Sequence, residues 1–475
     1  MYLQQILNGV SYRMIGQGNP EVTSLACDTS QVKGGCLFFC LKGHRHDGHD
    51  FFRKAIGDGA VAIVCEKPLE TQALQIVVED VRSVMGIAAK NFYDSSVDRL
   101  KVISIVGTNG KTSTSYVLEA ILSKAGYKTA VIGTNGVFFN AHKHTSALTT
   151  PDPIELHYWF RQMYLNKVDI VIMEVSAHAI ALHKMQGILS EVAIFTNFSQ
   201  DHLDFFGTME NYANTKKSFF TQKYVKNVVA NVDDSLGQEI ATLVPCATYS
   251  VDGKADVVAT DVQIDKDKST YRVELFGQSA VITTHLAGIF NVYNTLAATT
   301  CASVLGVDID TISNAIEEVQ CVSGRNETLV RSDGARIVVD FAHTPDGIDN
   351  ILSFLRRTTQ GKLIVVFGCG GNRDKFKRPL MAEKVSQYAD FAILTNDNPR
   401  YEDPKLIAQD VSERLTCKYK IVLNRSQATE YALSIATGED TVAILGKGAE
   451  EYQEIRGRKF PYSDVEVVRN LLWIE

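Results

Sequence analysis

Apolar and polar positions change rhythm along this chain, and the changes divide it into three stretches. Residues 1 to 98 alternate short apolar runs (36–40, 60–65, 76–78) with polar, glycine-rich turns, which predicts a small mixed α/β unit. From residue 101 the runs lengthen. Residues 102–106 read as a buried strand, and 112–125 follow with helical periodicity ending at Gly126. Further strands are predicted at 129–133, 169–175, 192–196 and 228–231, separated by helical patterns, so this part is a mostly parallel sheet with crossover helices. A third stretch starts near Arg325, with strands at 337–341, 363–367, 391–395, 420–423 and 442–445. Amphipathic helices such as 379–388 and 404–415 alternate with them. The expected fold is therefore α/β in three domains. These are a small mixed N-terminal domain (1–98), a central phosphate-loop domain (99–325) and a C-terminal Rossmann-like domain (326–475).

Composition narrows the class without naming it. The formal net charge of -7 speaks against a general nucleic-acid or membrane binder, because such proteins show a basic excess. The first residues lack the basic start and continuous apolar run of a signal peptide, and no apolar stretch is long enough to span a bilayer. The nine cysteines are scattered, and no second pair follows Cys36 and Cys40 at zinc-ligand spacing. Reduced core thiols in a cytoplasmic protein are the expectation, and a monomer is expected although no residue pattern reads out oligomeric state.

The loop between the strand at 102–106 and the helix after it reads Gly107, Thr108, Asn109, Gly110, Lys111, Thr112, Ser113. Ile105 stands where a strict Walker A pattern has its first glycine, so the pattern alone is imperfect. The context compensates: a strand runs in, a helix starts, and its free N-terminal amides favour a polyphosphate. Lys111 then lies against the β- and γ-phosphates, and the Thr112 hydroxyl is placed for Mg²⁺. Glu174 ends a predicted strand at the carboxyl edge of the sheet, where open α/β folds bind ligands. Asn291 and Asn294 lie three apart, on one helix face.

This loop, with the segments at 173–178, 195–204, 288–294, 324–325, 340–346 and 368–374 in that order, resembles the Mur ligases and their folylpolyglutamate synthetase relatives. The resemblance covers essentially the whole chain. It implies an ATP-dependent ligase that activates a carboxylate as an acyl phosphate for attack by an amine, in peptidoglycan precursor synthesis. The implied cofactors are ATP and Mg²⁺. It makes Lys111, Glu174, His202 and Lys216 the catalytic set, with Thr112, Glu174, His202 and Lys216, the last as a carbamate, holding the metal. Lys217 is a plausible neighbour, but register against the family motif favours Lys216. Asn291 and Asn294 are implied to approach the adenine, and Arg325 and His343 to be further nucleotide contacts.

The resemblance also implies a UDP-N-acetylmuramoyl dipeptide and a diamino acid as substrates. Thr29 and His44 match segments that hold the uridine and pyrophosphate, and Thr149, Thr150, Ser176 and Lys184 match the muramoyl-peptide contacts. Ala177, Leu182 and Lys184 depart from the family pattern, which puts the sugar contacts in question. Asp397, Asn398, Pro399 and Arg400 resemble the motif of relatives that add meso-diaminopimelate, and a guanidinium fork suits its second carboxylate. Arg373, Gly446 and Glu450 complete that implied pocket, although Ala449 stands in place of a usual histidine. Ligation of L-lysine or another diamino acid, folylpolyglutamate synthesis, and a non-catalytic nucleotide-binding regulator remain the alternatives. Asn-Pro-Arg is also a plain turn sequence, which leaves a surface role for Arg400 open.

Overall fold

The computed structural model describes residues 1–43, 46–140, 142–146, 148–251 and 253–472. The chain forms two compact units. One comprises Met1–Ser104, Tyr127–Ala193 and Ser218–Asn227; the other comprises Ile105–Gly126, Ile194–Lys217 and Val228–Glu475.

In the first unit, apolar runs 36–39 and 60–65 become parallel strands because both of their faces are covered. They form a five-stranded sheet in the order Arg13–Ile15, Gln75–Val77, Ala60–Cys65, Cys36–Phe39, Ser24–Ala26, whose first pair alone is antiparallel. Leu37, Phe39, Val64 and Ile76 face the helix Val81–Phe92 and its buried Met85 and Ala88. Phe38, Ile63 and Cys65 fill the opposite face. The same unit carries the parallel pair Thr129–Gly133 and Ile170–Val175, extended antiparallel by Gly136–Phe139 and His142–His144. All six residues of Ile170–Val175 are buried, as expected of an inner parallel strand.

In the second unit the strand pairs Val228–Asn231 with Cys246–Tyr249 and then Val257–Ala259 in parallel. Beyond them, Val257–Ile264, Ser269–Leu275 and Gln278–Thr284 form an antiparallel meander. These strands are additional to those predicted from the sequence; the alternation at Ser269–Leu275, buried at every second residue, is their sequence signal.

The C-terminal part is a six-stranded sheet in the order Glu327–Val330, Arg336–Asp340, Thr441–Leu445, Leu363–Phe367, Phe391–Leu394, Lys418–Ile421. It is parallel except for its first strand. Helices Pro345–Thr358, Lys377–Tyr388 and Pro404–Ser412 cover one face through Leu352, Leu355, Met381 and Val411. Arg425–Ile435 and Asp464–Leu472 cover the other through Ala432 and Val468. The doubly wound expectation holds. Its consequence is that the loops after Asp340, Phe367, Leu394 and Leu445 all emerge at one carboxyl edge. Those loops begin at Phe341, Gly368, Thr395 and Gly446, which are the segments singled out in the sequence.

Candidate active site

The phosphate loop is shaped by what lies beneath it. A Cβ added to Gly107 would sit 1.8 Å from the Thr196 hydroxyl, so only glycine fits. Gly110 has φ +86 and the Asn294 Oδ1 lies 2.4 Å from where its Cβ would be. Asn197 fixes the loop between them: its Oδ1 accepts from the Asn109 amide at 2.9 Å and its Nδ2 donates to the Asn109 carbonyl at 3.1 Å. Thr196 donates to the same carbonyl at 2.7 Å. The helix Lys111–Lys124 begins with no side-chain cap, which leaves its first amides to meet an anion. The Lys111 ammonium donates to the Gly107 and Thr108 carbonyls, both at 2.9 Å. Thr112 and Ser113 are buried behind it.

Arg325 joins this loop to the C-terminal sheet. Its Nη2 donates to the Thr112 hydroxyl at 3.0 Å, and its guanidinium stacks 4.2 Å from the Phe341 ring centroid. Gly324, at φ +67, packs so closely that a Cβ there would fall 2.0 Å from the Ala449 amide nitrogen. His343 bonds the Phe341 carbonyl through Nδ1 at 2.9 Å. Asp346 accepts from the Asn109 amide side chain at 2.8 Å. Asn291 and Asn294 are both buried and bonded to each other at 3.1 Å, with Asn294 directly under the loop at Gly110.

Beside the loop lies a knot of charge that the sequence reading saw only in part. Asp201 is buried and accepts from the Lys377 ammonium at 3.0 Å. His202 Nε2 lies 3.3 Å and His343 Nε2 3.7 Å from its other oxygen. Burial alone would raise the Asp201 carboxyl, but Lys377 and the two histidines outweigh it and hold the group well below the usual carboxylate range. Lys216 is fully buried on the helix Met209–Lys217, its Nζ 4.6 Å from the Tyr212 ring. Burial, and then the Lys111 charge, push its amine well below the ordinary lysine range, against the pull of Asp201 and Asp234. Lys217 instead pairs with Glu239 at 2.8 Å near the surface, so the two lysines have different environments.

The C-terminal loops gather a second set. Asn398 donates to Glu450 Oε2 at 2.9 Å, and the buried Lys447 bonds both, at 3.0 Å to Asn398 and 2.7 Å to Glu450. Asp397 is buried beside them; burial raises its carboxyl, but Lys447 and Arg425 bring the net shift downward. A Cβ on Gly446 would lie 2.7 Å from Asp397 Oδ2. Arg400, following Pro399, donates to the Gly371 carbonyl at 2.9 Å and to Glu454 at 3.1 Å. Burial and then the Arg400 charge lower the Arg373 guanidinium, against the pull of Asp204, Glu454 and Asp201; both arginines come close to Gly370, where a Cβ would lie 2.9 Å from Arg400 Nη1 and 3.7 Å from Arg373 Cγ.

In the first unit Glu174 is 1% exposed, and its carboxylate accepts from the Thr134 amide at 3.1 Å and hydroxyl at 3.0 Å. Thr149 bonds the same Thr134 hydroxyl at 3.2 Å. Thr150 donates to the Glu174 carbonyl at 3.0 Å and accepts from the Ser176 amide at 3.0 Å. Lys184 reaches the Thr150 carbonyl at 3.2 Å and Asp152 at 2.9 Å. Five of the expected residues therefore form one polar cluster. Thr29 sits apart on a short turn capped by Asp28, and His44 lies outside the described residues.

Among the described residues no three His, Cys, Asp or Glu side chains converge as a metal cage. Asp201, Lys377, Asn197, Asp346 and Lys447 are the site residues that sequence reasoning missed. Asp201 sits next to His202 and Lys377 three residues past the 368–374 segment, so motif adjacency is the available signal.

A phosphate loop on a largely parallel sheet, facing paired lysines, histidines and carboxylates, is the equipment of a nucleotide-driven enzyme. Models of the Mur ligase family, catalytic domain (residues 21–93), the Mur ligase middle domain (105–302) and the Mur ligase, glutamate ligase domain (324–448) match the chain. A UDP-N-acetylmuramoyl-L-alanyl-D-glutamate–2,6-diaminopimelate ligase of Clostridium botulinum is 38% identical over 99% of both chains. Its counterpart from Geobacillus kaustophilus is 41% identical over 95% of each. A solved structure of a ligase of the same name superimposes with TM-score 0.68 at 30% identity, covering 95% of each chain. A MurF ligase from Thermotoga maritima in complex with ADP shares the fold at TM-score 0.65 and 19% identity, over 95% of this chain and 97% of its own. The chain belongs to the Mur ligase family of ATP-dependent ligases. No helix among the described residues is long and apolar enough to cross a membrane.

Proposed function

We propose that this enzyme adds meso-diaminopimelate to UDP-N-acetylmuramoyl-L-alanyl-D-glutamate in peptidoglycan precursor synthesis. The observation that supports the choice of amino acid is the approach of Arg373 and Arg400 to one another at Gly370, with the Asn398, Lys447 and Glu450 cluster on the same loops. Glu454 offsets part of this charge at 3.1 Å from Arg400, and two neighbouring guanidinium groups suit a further carboxylate, which meso-diaminopimelate, lysine with one more carboxylate, supplies. The Glu450 bonds to Asn398 and Lys447 both use Oε2, which leaves Oε1 to face an ammonium group.

The chemistry follows from the charges. The substrate's terminal carboxylate oxygen bonds to the γ-phosphorus of ATP, ADP leaves, and the amine then displaces phosphate from the acyl carbon with loss of a proton. Lys111 and the amides at the start of the helix hold the phosphates, and Arg325, anchored on Phe341, orients the Thr112 hydroxyl. Thr112, His202 and Lys216 as a carbamate are the residues of the second unit that would hold Mg²⁺, with Glu174 retained as a ligand on the family resemblance. Bound there, the ion would neutralise charge developing on the phosphate oxygens. Lys216 is suited to carbamylation because burial and the Lys111 charge favour its neutral amine, the form that attacks carbon dioxide. Thr29 and His44 are assigned to the uridine diphosphate, and Thr149, Thr150, Ser176 and Lys184 to the muramoyl peptide. Asn291, Asn294 and His343 are assigned to the nucleotide. The functional segments are taken as 1–98, 99–325 and 326–475, in a cytoplasmic monomer.

The test is phosphate release from ATP against a panel of amino acids. Turnover is expected only with the UDP-muramoyl dipeptide, Mg²⁺ and meso-diaminopimelate together; L-lysine turning over as fast would sink the assignment. Arg400→Ala should raise the KM for diaminopimelate far more than that for ATP, and a parallel rise in both would make Arg400 a structural residue.

A further inference from the structure

Arg373 and Arg400 are carried by two turns, and each turn contains a residue in the left-handed region that side chains avoid. Asn372 has φ 51 and Arg400 itself has φ 51. Such conformations persist where neighbours over-determine them. Here the turns are laced together: the Gly371 amide donates to the Asn398 carbonyl at 2.9 Å, Arg400 Nη1 donates to the Gly371 carbonyl at 2.9 Å, and the Tyr401 amide donates to Asn372 Oδ1 at 3.0 Å. The turns are also in contact, since a Cβ on Gly371 would fall 2.0 Å from the Pro399 carbonyl.

Behind this lacing stand one carboxylate and one guanidinium. Glu402 Oε1 accepts from the Asn372 amide, and its Oε2 accepts from Arg378 Nη2 at 3.0 Å. Arg378 is 1% exposed, and it also donates to the Gly370 carbonyl at 3.3 Å and to Asp410 at 2.7 Å. Glu402 thus grips the backbone one residue before Arg373 while its own amide closes the Pro399 turn at 3.0 Å. Arg378 is buried and Glu402 partly so, and a charge pair of this kind adds little net stability while restricting geometry.

We propose that Arg378 and Glu402 are positioning residues that set the spacing of Arg373 and Arg400, and so the affinity for an amino acid with a second carboxylate. The proposal rests on the diaminopimelate reading above. Neither residue touches the loop that holds ATP, so their effect should fall on one substrate only.

The experiment uses the full chain in the phosphate-release assay, with the amino acid varied at saturating ATP and UDP-substrate. Glu402→Ala is expected to raise the KM for meso-diaminopimelate by about 10- to 100-fold, as misplacement near 1 Å does, with kcat and the KM for ATP within about twofold. Glu402→Gln keeps an oxygen for the Asn372 amide and should recover part of that loss. Arg378→Lys should resemble Glu402→Ala, and if it fails to fold the two Glu402 variants decide the matter. Equal rises in both KM values, or no rise in the amino-acid KM, would overturn the proposal. The wild-type panel separates the two ideas. If the wild type selects L-lysine, the diaminopimelate reading falls; if it selects diaminopimelate and Glu402→Ala leaves the diaminopimelate KM unchanged, the positioning role alone falls.

Discussion

Lys377 and Asp201 form an ion pair at 3.0 Å in which both side chains are less than a tenth exposed. Asp201 directly precedes His202, and Lys377 opens the helix after the 368–376 loop. One buried contact therefore connects the segment that carries a candidate metal ligand to the segment that carries Arg373.

Breaking that pair from one side should cost far more than replacing it. Lys377→Met leaves the buried Asp201 carboxylate without its nearest cation, and a loss of about 3–5 kcal/mol is expected. The double variant Lys377→Met with Asp201→Asn should recover most of that, since both charges are gone. Urea denaturation of the four proteins gives the cycle. Additive losses would mean that the pair is not coupled.

Two glycine substitutions should act in opposite directions. Gly107→Ala puts a methyl 1.8 Å from the Thr196 hydroxyl and 3.2 Å from the Asn197 amide nitrogen, so the loop has to move. A fall of about 100-fold in kcat/KM for ATP is expected. Gly57→Ala meets nothing within 4 Å and its φ is not positive. There the unfolded chain loses freedom at no native cost, and a gain of about 0.4–1 kcal/mol is expected in thermal denaturation.

The contrast shows what a sequence does and does not carry. Strands 102–106 and 170–175 were legible because a buried parallel strand is a continuous apolar run. The loop residues were legible because a strand and a helix bracket them. Asp201, Lys377, Asn197 and Glu402 were not, since each acts through a partner far away in sequence: Lys377 lies 176 residues from Asp201. Pairing at that range is a product of the fold. Burial likewise distinguishes Lys216 from Lys217, in the direction that register with the family motif favours.

Lys216 can be tested chemically. Lys216→Ala should lose nearly all turnover, and short carboxylates such as formate or acetate should restore a measurable part if a carbamate oxygen is what the site lacks. Addition of primary amines instead of carboxylates, if that alone restored activity, would assign the role to the ammonium form.

His157 supplies a pH prediction that is independent of catalysis. It lies on the helix Pro153–Leu165, almost wholly buried, and its Nε2 has no hydrogen-bond partner. Burial, with a further contribution from the Lys90 charge, lowers its pKa to about 3. In the unfolded chain the imidazole titrates near 6.5, so between these values the unfolded state binds the extra proton and the native state does not. The native state consequently loses stability as pH falls below about 6.5, by about 1.4 kcal/mol for each unit, and loses nothing above it. His157→Phe places an apolar ring in the same pocket beside Phe160, whose ring centroid is 5.7 Å from that of His157. It should flatten the stability profile between pH 6.5 and 5 by that slope while leaving stability at pH 8 within about 1.5 kcal/mol. Urea midpoints at four pH values measure the slope, and an unchanged slope would mean that His157 is already protonated in the folded protein.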